Sequence, residues 1–139
     1  DDFWNQVCHR LGVTKEQFSL FSKKSLKIDM NEELWDYLPK LKKRYKLAIL
    51  SNIGTNKMSL IKNTIDLSIF DEVRFSAEVG KDKSEDEFFL ELSRALGFLP
   101  CEILFVDDTL RHIEKEKNLG FGNYLFGDLI GLKKVIDEN

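Results

Sequence analysis

The sequence predicts an α/β fold in which a mainly parallel sheet is flanked by helices. Three observations predict it. The run Leu47 to Leu50 (LAIL) is uninterrupted and apolar and empties into Ser51-Asn52-Ile53-Gly54, as expected of a parallel strand buried on both faces. A second strongly apolar run, Glu102 to Val106 (EILFV), leads into Asp107-Asp108. Finally, strand and helix patterns alternate from Lys46 to the end of the chain, which is the mark of a doubly wound sheet.

Each element has its own signal. Phe3, Val7 and Leu11 recur at helical spacing, and Gly12 can take the left-handed conformation that ends a helix. Thr14 followed by Gln17 makes a capping box ahead of Phe18 and Phe21, so two short helices are expected here. Asn31 can cap a third helix carrying Leu34 and Leu38, with Pro39 expected to open a fresh turn because proline in a helix interior removes a hydrogen bond. After LAIL comes a helix with Met58, Ile61 and Ile65 on one face, then a short strand from Glu72 to Ser76 (EVRFS). Glu85, Asp86 and Glu87 suit the first turn of a helix whose inner stripe is Phe88, Leu92 and Ala95 and which Gly97 stops. Beyond EILFV, a helix from Thr109 to Asn118, a strand near Tyr124 to Phe126 and an amphipathic tail with Leu129, Leu132 and Ile136 complete the pattern.

Composition bounds the function. The 139 residues are 42% hydrophobic and 32% charged, enough for one globular core. The net charge of -3 arises from interspersed residues of both signs with no basic stripe, so neither nucleic acid nor an anionic membrane is an expected partner. No apolar run approaches the roughly 20 residues that span a bilayer, and the protein is expected to be soluble and cytoplasmic. Cys8 and Cys101 match no metal or redox spacing and read as small buried hydrophobes in a reducing compartment. The close glycines Gly120, Gly122 and Gly127 lack the spacing of a dinucleotide site.

In open α/β sheets, ligands bind beyond the carboxyl ends of the strands. Three polar groups fall at such ends: Ser51 after LAIL, Lys83 in the loop after EVRFS, and Asp107-Asp108 after EILFV. A hydroxyl, a fixed cation and a carboxylate pair match a phosphate and its magnesium ion. Hydroxyl and backbone N–H groups hold phosphoryl oxygens, the ammonium neutralises developing charge, and carboxylates hold a hard cation. Taken singly, each group has a plainer role: Ser51 as a helix cap, Lys83 as a solvated surface charge, the acids as a turn, and His112 as a packing residue.

Three ordered segments, KLAILSNIGTNKMSLI, FDEVRFSAEVGKDKSEDEFFLELSRALG and CEILFVDDTLRHIEKEKNLGF, closely resemble the second, third and fourth motifs of the haloacid dehalogenase superfamily, in its helical-cap branch. The resemblance implies a Rossmann-like core over residues 38–139 and the remainder of a helical cap over residues 1–37. By position it implies that Ser51 and the backbone amide of Asn52 bind phosphoryl oxygens and that Lys83 stabilises charge. It also implies that Asp108 ligates Mg²⁺, with Asp107 a second ligand or its support. The implied activity is a magnesium-dependent phosphatase acting on a small phosphorylated metabolite. Ser84 departs from the proline common after the lysine in this branch, and His112 from a small amide residue.

The family's first motif, an apolar strand followed by Asp-x-Asp, supplies the nucleophile and the general acid, and no such motif precedes the other three here. In that family the first strand lies between the strands that here end at Ser51 and Asp107, so its absence would leave two central edges unpaired. The chain is therefore expected to be the remainder of a longer protein whose N-terminus carries that strand. The alternative is a catalytically inactive binding or scaffold module on the same fold, its gap closed by direct strand pairing or by homodimer formation. A phosphoacceptor receiver domain is disfavoured, because there the acidic pair follows the first strand and the lysine comes last.

Overall fold

The computed structural model describes residues 6, 9–10, 12–14, 16–17 and 28–137. The chain divides into two compact units, residues 1–30 and 31–139. In the first, Gly12 has φ of +65°, the left-handed stop its position called for. The capping box is present: Thr14 N–H donates to Gln17 Oε1 at 2.9 Å and Gln17 N–H donates to Thr14 Oγ1 at 3.2 Å. Phe3, Val7, Leu11, Phe18 and Phe21, on which the two expected helices rest, lie outside the described residues, as does Cys8, expected as a buried hydrophobe.

The second unit alternates helix and strand. Helix α1 (Glu32–Lys42) starts at Asn31, whose Oδ1 accepts the Leu34 N–H at 3.0 Å. Then come β1 (Ala48–Ser51), α2 (Thr55–Thr64), β2 (Glu72–Phe75) and the single turn α3 (Ser76–Val79). Next are α4 (Asp86–Leu96), a 3₁₀ turn (Pro100–Glu102), β3 (Leu104–Asp107), α5 (Leu110–Asn118), β4 (Gly122–Leu125) and α6 (Leu129–Asp137). The strands form two parallel ladders. Ala48 to Ser51 pair with Glu72 to Phe75, and Leu104 to Asp107 pair with Gly122 to Leu125. Among the described residues β1 and β3 are not hydrogen-bonded to one another, so each presents an open edge.

What joins the ladders is α4. Phe88, Phe89, Leu92 and Leu96 share one core with Leu50 of β1, Phe105 of β3 and Phe121. Phe89 meets Phe105 edge-to-face at 5.3 Å between ring centroids, and Phe105 meets Phe121 the same way at 5.0 Å. With Phe89 fully buried, Phe89→Ala is expected to lose about 4 kcal/mol, since the ring's transfer energy and the cavity left behind both count. Urea unfolding measures it, and a loss below about 1 kcal/mol, the scale of an ordinary surface change, would contradict this core.

Four expectations need correction. Pro39 lies inside α1 and does not open a new turn. Leu34, Leu38 and Leu41 of α1 pack with Leu129, Leu132 and Ile136 of α6, and that burial offsets the roughly 3 kcal/mol cost of an interior proline. On α4 the inner stripe closes with Leu96, because Ala95 is exposed. Phe89 and Ser93 are buried as well, which centres the inner face between Leu92 and Leu96 and leaves Ala95 at its edge, about 90° away at 3.6 residues per turn. LAIL is not buried on both faces; Leu50 is buried while its neighbours are half-buried. Cys101 is exposed on the 3₁₀ turn, whose short connection into β3 leaves it no core to enter.

Candidate active site

The carboxyl ends of β1 and β3 and the loop after β2 carry the site residues. Ser51 is the last residue of β1 and is half-buried, with Asn52 beginning the loop that leads into α2. Ser76 ties that loop to the end of β2: Ile53 N–H donates to Ser76 Oγ at 3.0 Å, and the Ser76 hydroxyl donates to Ile53 O at 3.1 Å. A shallow depression lies between these segments, lined by Ile53, Gly54, Thr55, Ser76, Lys81 and Asp82.

Chain geometry delivers Lys83 to the site. Gly80, with φ of +72°, turns the chain out of α3, a conformation that other residues adopt only with strain. Asp82 Oδ1 then accepts the Ser84 N–H at 2.6 Å and closes a tight turn around Lys83. The common proline could not donate that bond, so Ser84 is used here through its backbone. Its carbonyl also accepts from Lys115 Nζ. Lys83 N–H donates to Asn52 Oδ1 at 2.8 Å, fastening this turn to the loop after β1.

Asp107, the last residue of β3, is the hub. Its Oδ2 pairs with Lys83 Nζ, and its Oδ1 accepts the Thr109 N–H at 2.8 Å. His112 Nδ1 lies 3.2 Å from Oδ1 and 3.1 Å from Oδ2. Burial pushes the Asp107 carboxyl up, but the Lys83 hydrogen bond, the Thr109 N–H, the Lys83 charge and the His112 contact outweigh it. The group sits below its ordinary value of 3.8 and is ionised at neutral pH. Asp108 faces the other way: it is exposed, and its Oδ1 accepts from the Thr109 hydroxyl at 3.2 Å.

One group here escaped the sequence reading. Glu116 of α5 is fully buried, and neither carboxylate oxygen has a hydrogen-bond partner. Burial first, and then the Asp107 charge, push its carboxyl from 4.5 to about 7, with Lys83 pulling the other way. Its signal was present in the spacing, since Glu116 follows the buried Ile113 by three residues on the inner face. The charged run EKEK disguised it as a solvated helix.

The structure thus brings Lys83 to Asp107 directly and to Asn52 through its backbone. It places Ser51 beside Asn52 and Asp108 beside Asp107. Among the described residues no three His, Cys, Asp or Glu side chains converge as a closed metal cage. The donors still fit magnesium, which keeps several waters and takes one or two carboxylates together with substrate phosphate. Asp108 has the exposed hard oxygens for that role, whereas the oxygens of Asp107 are taken up by the protein's own donors.

The sequence profile of the haloacid dehalogenase-like hydrolases matches residues 5–123. The chain is 30% identical over 81 residues to flavin mononucleotide hydrolase 1, a chloroplast protein of Arabidopsis thaliana. That match covers 58% of this chain and 33% of the relative, so the chain spans about a third of the relative's length. Among solved structures, a predicted HAD-like family hydrolase from Porphyromonas gingivalis superposes with a TM-score of 0.78 at 26% identity, over 97% of this chain and 72% of that one. A HAD family enzyme from Bacteroides thetaiotaomicron, crystallised with magnesium and inorganic phosphate, superposes with a TM-score of 0.74 at 23% identity, over 94% of this chain and 73% of that one. No helix among the described residues is long and apolar enough to cross a membrane.

Proposed function

Because the chain belongs to the haloacid dehalogenase-like hydrolases, we propose that it forms the phosphate- and magnesium-binding part of a phosphatase acting on a small phosphorylated metabolite. Its Rossmann-like core then includes α1, which packs on α6, and lies within residues 31–139, and the residues before it are the remainder of a helical cap that selects the substrate. The observation that carries this reading is the Lys83–Asp107 pair, held at the strand ends and fastened to Asn52. It pre-places an ammonium where phosphoryl charge would gather.

Each residue then has a task. The Ser51 hydroxyl and the Asn52 N–H donate to phosphoryl oxygens, and Lys83 neutralises their charge. Asp108 would hold magnesium, with Asp107 as its support; when bound, the ion adds a second positive charge at the phosphoryl oxygens. The open edges of β1 and β3 favour a further strand seated between them and carrying Asp-x-Asp. The first of those aspartates attacks phosphorus and forms an acyl phosphate as the ester oxygen leaves. The second gives that oxygen a proton and later takes one from the water that hydrolyses the intermediate. The free Cys101 thiol fits a reducing compartment and supports a cytoplasmic location.

The test uses the full-length polypeptide with p-nitrophenyl phosphate and flavin mononucleotide as substrates. Hydrolysis is expected to require Mg²⁺ and to vanish in Asp108→Asn. Turnover that survives both chelation and this substitution overturns the reading. The isolated 139-residue chain is expected to turn over neither ester. Turnover by it that Asp108→Asn removes would show that the nucleophile does not come from an added strand.

A further inference from the structure

We propose that His112 is a positioning residue, which holds Asp107 as the internal counter-ion of Lys83 and leaves Asp108 as the carboxylate that meets the cation. The inference rests on the proposed magnesium site and assigns a division of labour within it.

The argument is one of occupancy. A carboxylate offers about four lone-pair positions on its two oxygens. On Asp107 these face Lys83 Nζ, the Thr109 N–H and the imidazole Nδ1, which lies within hydrogen-bond reach of both oxygens. A carboxylate paired with the Lys83 ammonium accepts hydrogen bonds, so in this contact Nδ1 is the donor and the contact fixes the orientation of the ring. The three side chains are mostly withdrawn from water, with Lys83 11% exposed, Asp107 7% and His112 14%. Water therefore competes little for those positions.

Geometry on α5 explains why a histidine serves here. Thr109 caps the helix with its N–H already on Asp107, and His112 lies three residues on, over the same end of β3. One element thus grips Asp107 twice while Lys83 holds it from the opposite loop. With Asp107 clamped, the backbone that carries Asp108 is clamped too, and Asp108 projects outward. Loss of the Nδ1 donor would free the Asp107 carboxylate to rotate and would loosen the cation ligand beside it.

The chemistry yields a discriminating set of variants. Asparagine places an amide N–H where the imidazole has Nδ1, whereas glutamine places its amide near Nε2. Mg²⁺ affinity is measured by calorimetry on the full-length polypeptide, with the melting temperature of each variant recorded alongside. Loss of a supporting hydrogen bond to a ligand set weakens metal binding by about 10-fold or more. His112→Ala and His112→Gln are expected to show that loss, and His112→Asn to restore most of the affinity. In an Asp107→Ala background the three variants are expected to bind alike. Equal losses in His112→Asn and His112→Gln would mean that ring packing is what matters and would overturn the inference. So would a His112→Ala loss that persists unchanged without Asp107, or no loss at all. A wild-type protein that binds no Mg²⁺ would overturn the proposed metal site and this inference with it, an outcome distinct from normal binding that is indifferent to residue 112.

Discussion

Lys83→Ala is expected to destabilise the fold by about 3 kcal/mol at neutral pH, apart from any effect on catalysis. The pair it breaks is largely withdrawn from water, and deleting one member of such a pair leaves the other as a buried charge without its counter-ion. Asp107 keeps the Thr109 N–H and the His112 contact, which places the cost at the low end of the usual range. Removing both charges in Lys83→Met/Asp107→Leu is expected to cost less than the single change, since nothing charged is then stranded. The sign of the pH dependence follows from Asp107. Its folded-state carboxyl lies below 3.8, so its contribution to stability is present above that pH and is lost as the pH falls through the lower folded value. The Lys83→Ala penalty should therefore be complete at neutral pH and shrink in strong acid. Urea unfolding from pH 2 to 8 checks both points. A double variant less stable than the single one would show that the pair is a net asset beyond avoiding a stranded charge.

Glu116→Gln should produce the other large effect, in the opposite direction. The unfolded glutamate releases its proton near 4.5, while the folded one keeps it up to about 7. Across that window the unfolded state gains from ionisation that the folded state cannot share, and stability falls by about 1.4 kcal/mol per pH unit. The wild-type protein thus loses about 3 kcal/mol between pH 4.5 and 7, and the loss levels off above that. Glutamine has nearly the same shape and no charge to release. The two stability curves should run together at pH 4 and lie about 3 kcal/mol apart above pH 7, with the variant higher. Parallel curves would mean that Glu116 is ionised in the folded state, which would require a partner for its buried oxygens.

Keeping such a group is costly, and its surroundings indicate what limits the cost. Glu116 feels the negative charge of Asp107 and the positive charge of Lys83, so the state of the site decides how strongly it holds its proton. Asp107 and Glu116 share a single lysine. Burial is the main reason that Glu116 is the acid that stays neutral, the Asp107 charge adds to it, and Lys83 only partly offsets both.

Much of this molecule was legible in the sequence because the signals were local. A strand's apolar run, a capping residue three positions ahead of its partner, and a glycine at a helix end are all read within one turn of chain. Asn31, Gly97 and the Thr14–Gln17 box behaved accordingly. The order of the motifs likewise placed Ser51, Lys83, Asp107 and Asp108 at strand ends, since a parallel α/β chain returns every strand to the same edge. The open edges of β1 and β3 are what the family resemblance implied, since it seats a further strand between them.

Only the tertiary structure decided the rest, because it depends on residues far apart in the chain meeting at one register. Pro39 stays helical because α6, some ninety positions on, covers the face of α1 that carries Leu41. Lys83 and Asp107 are separated by 24 positions and Lys83 and Asn52 by 31, and nothing in local spacing pairs them. His112 changes from a packing residue to a clamp on Asp107 only when α5 docks over the end of β3. Glu116 becomes a buried acid through the same docking. Periodicity tells which face of a helix is apolar; which charges are trapped beneath that face is settled by the neighbours that close over it.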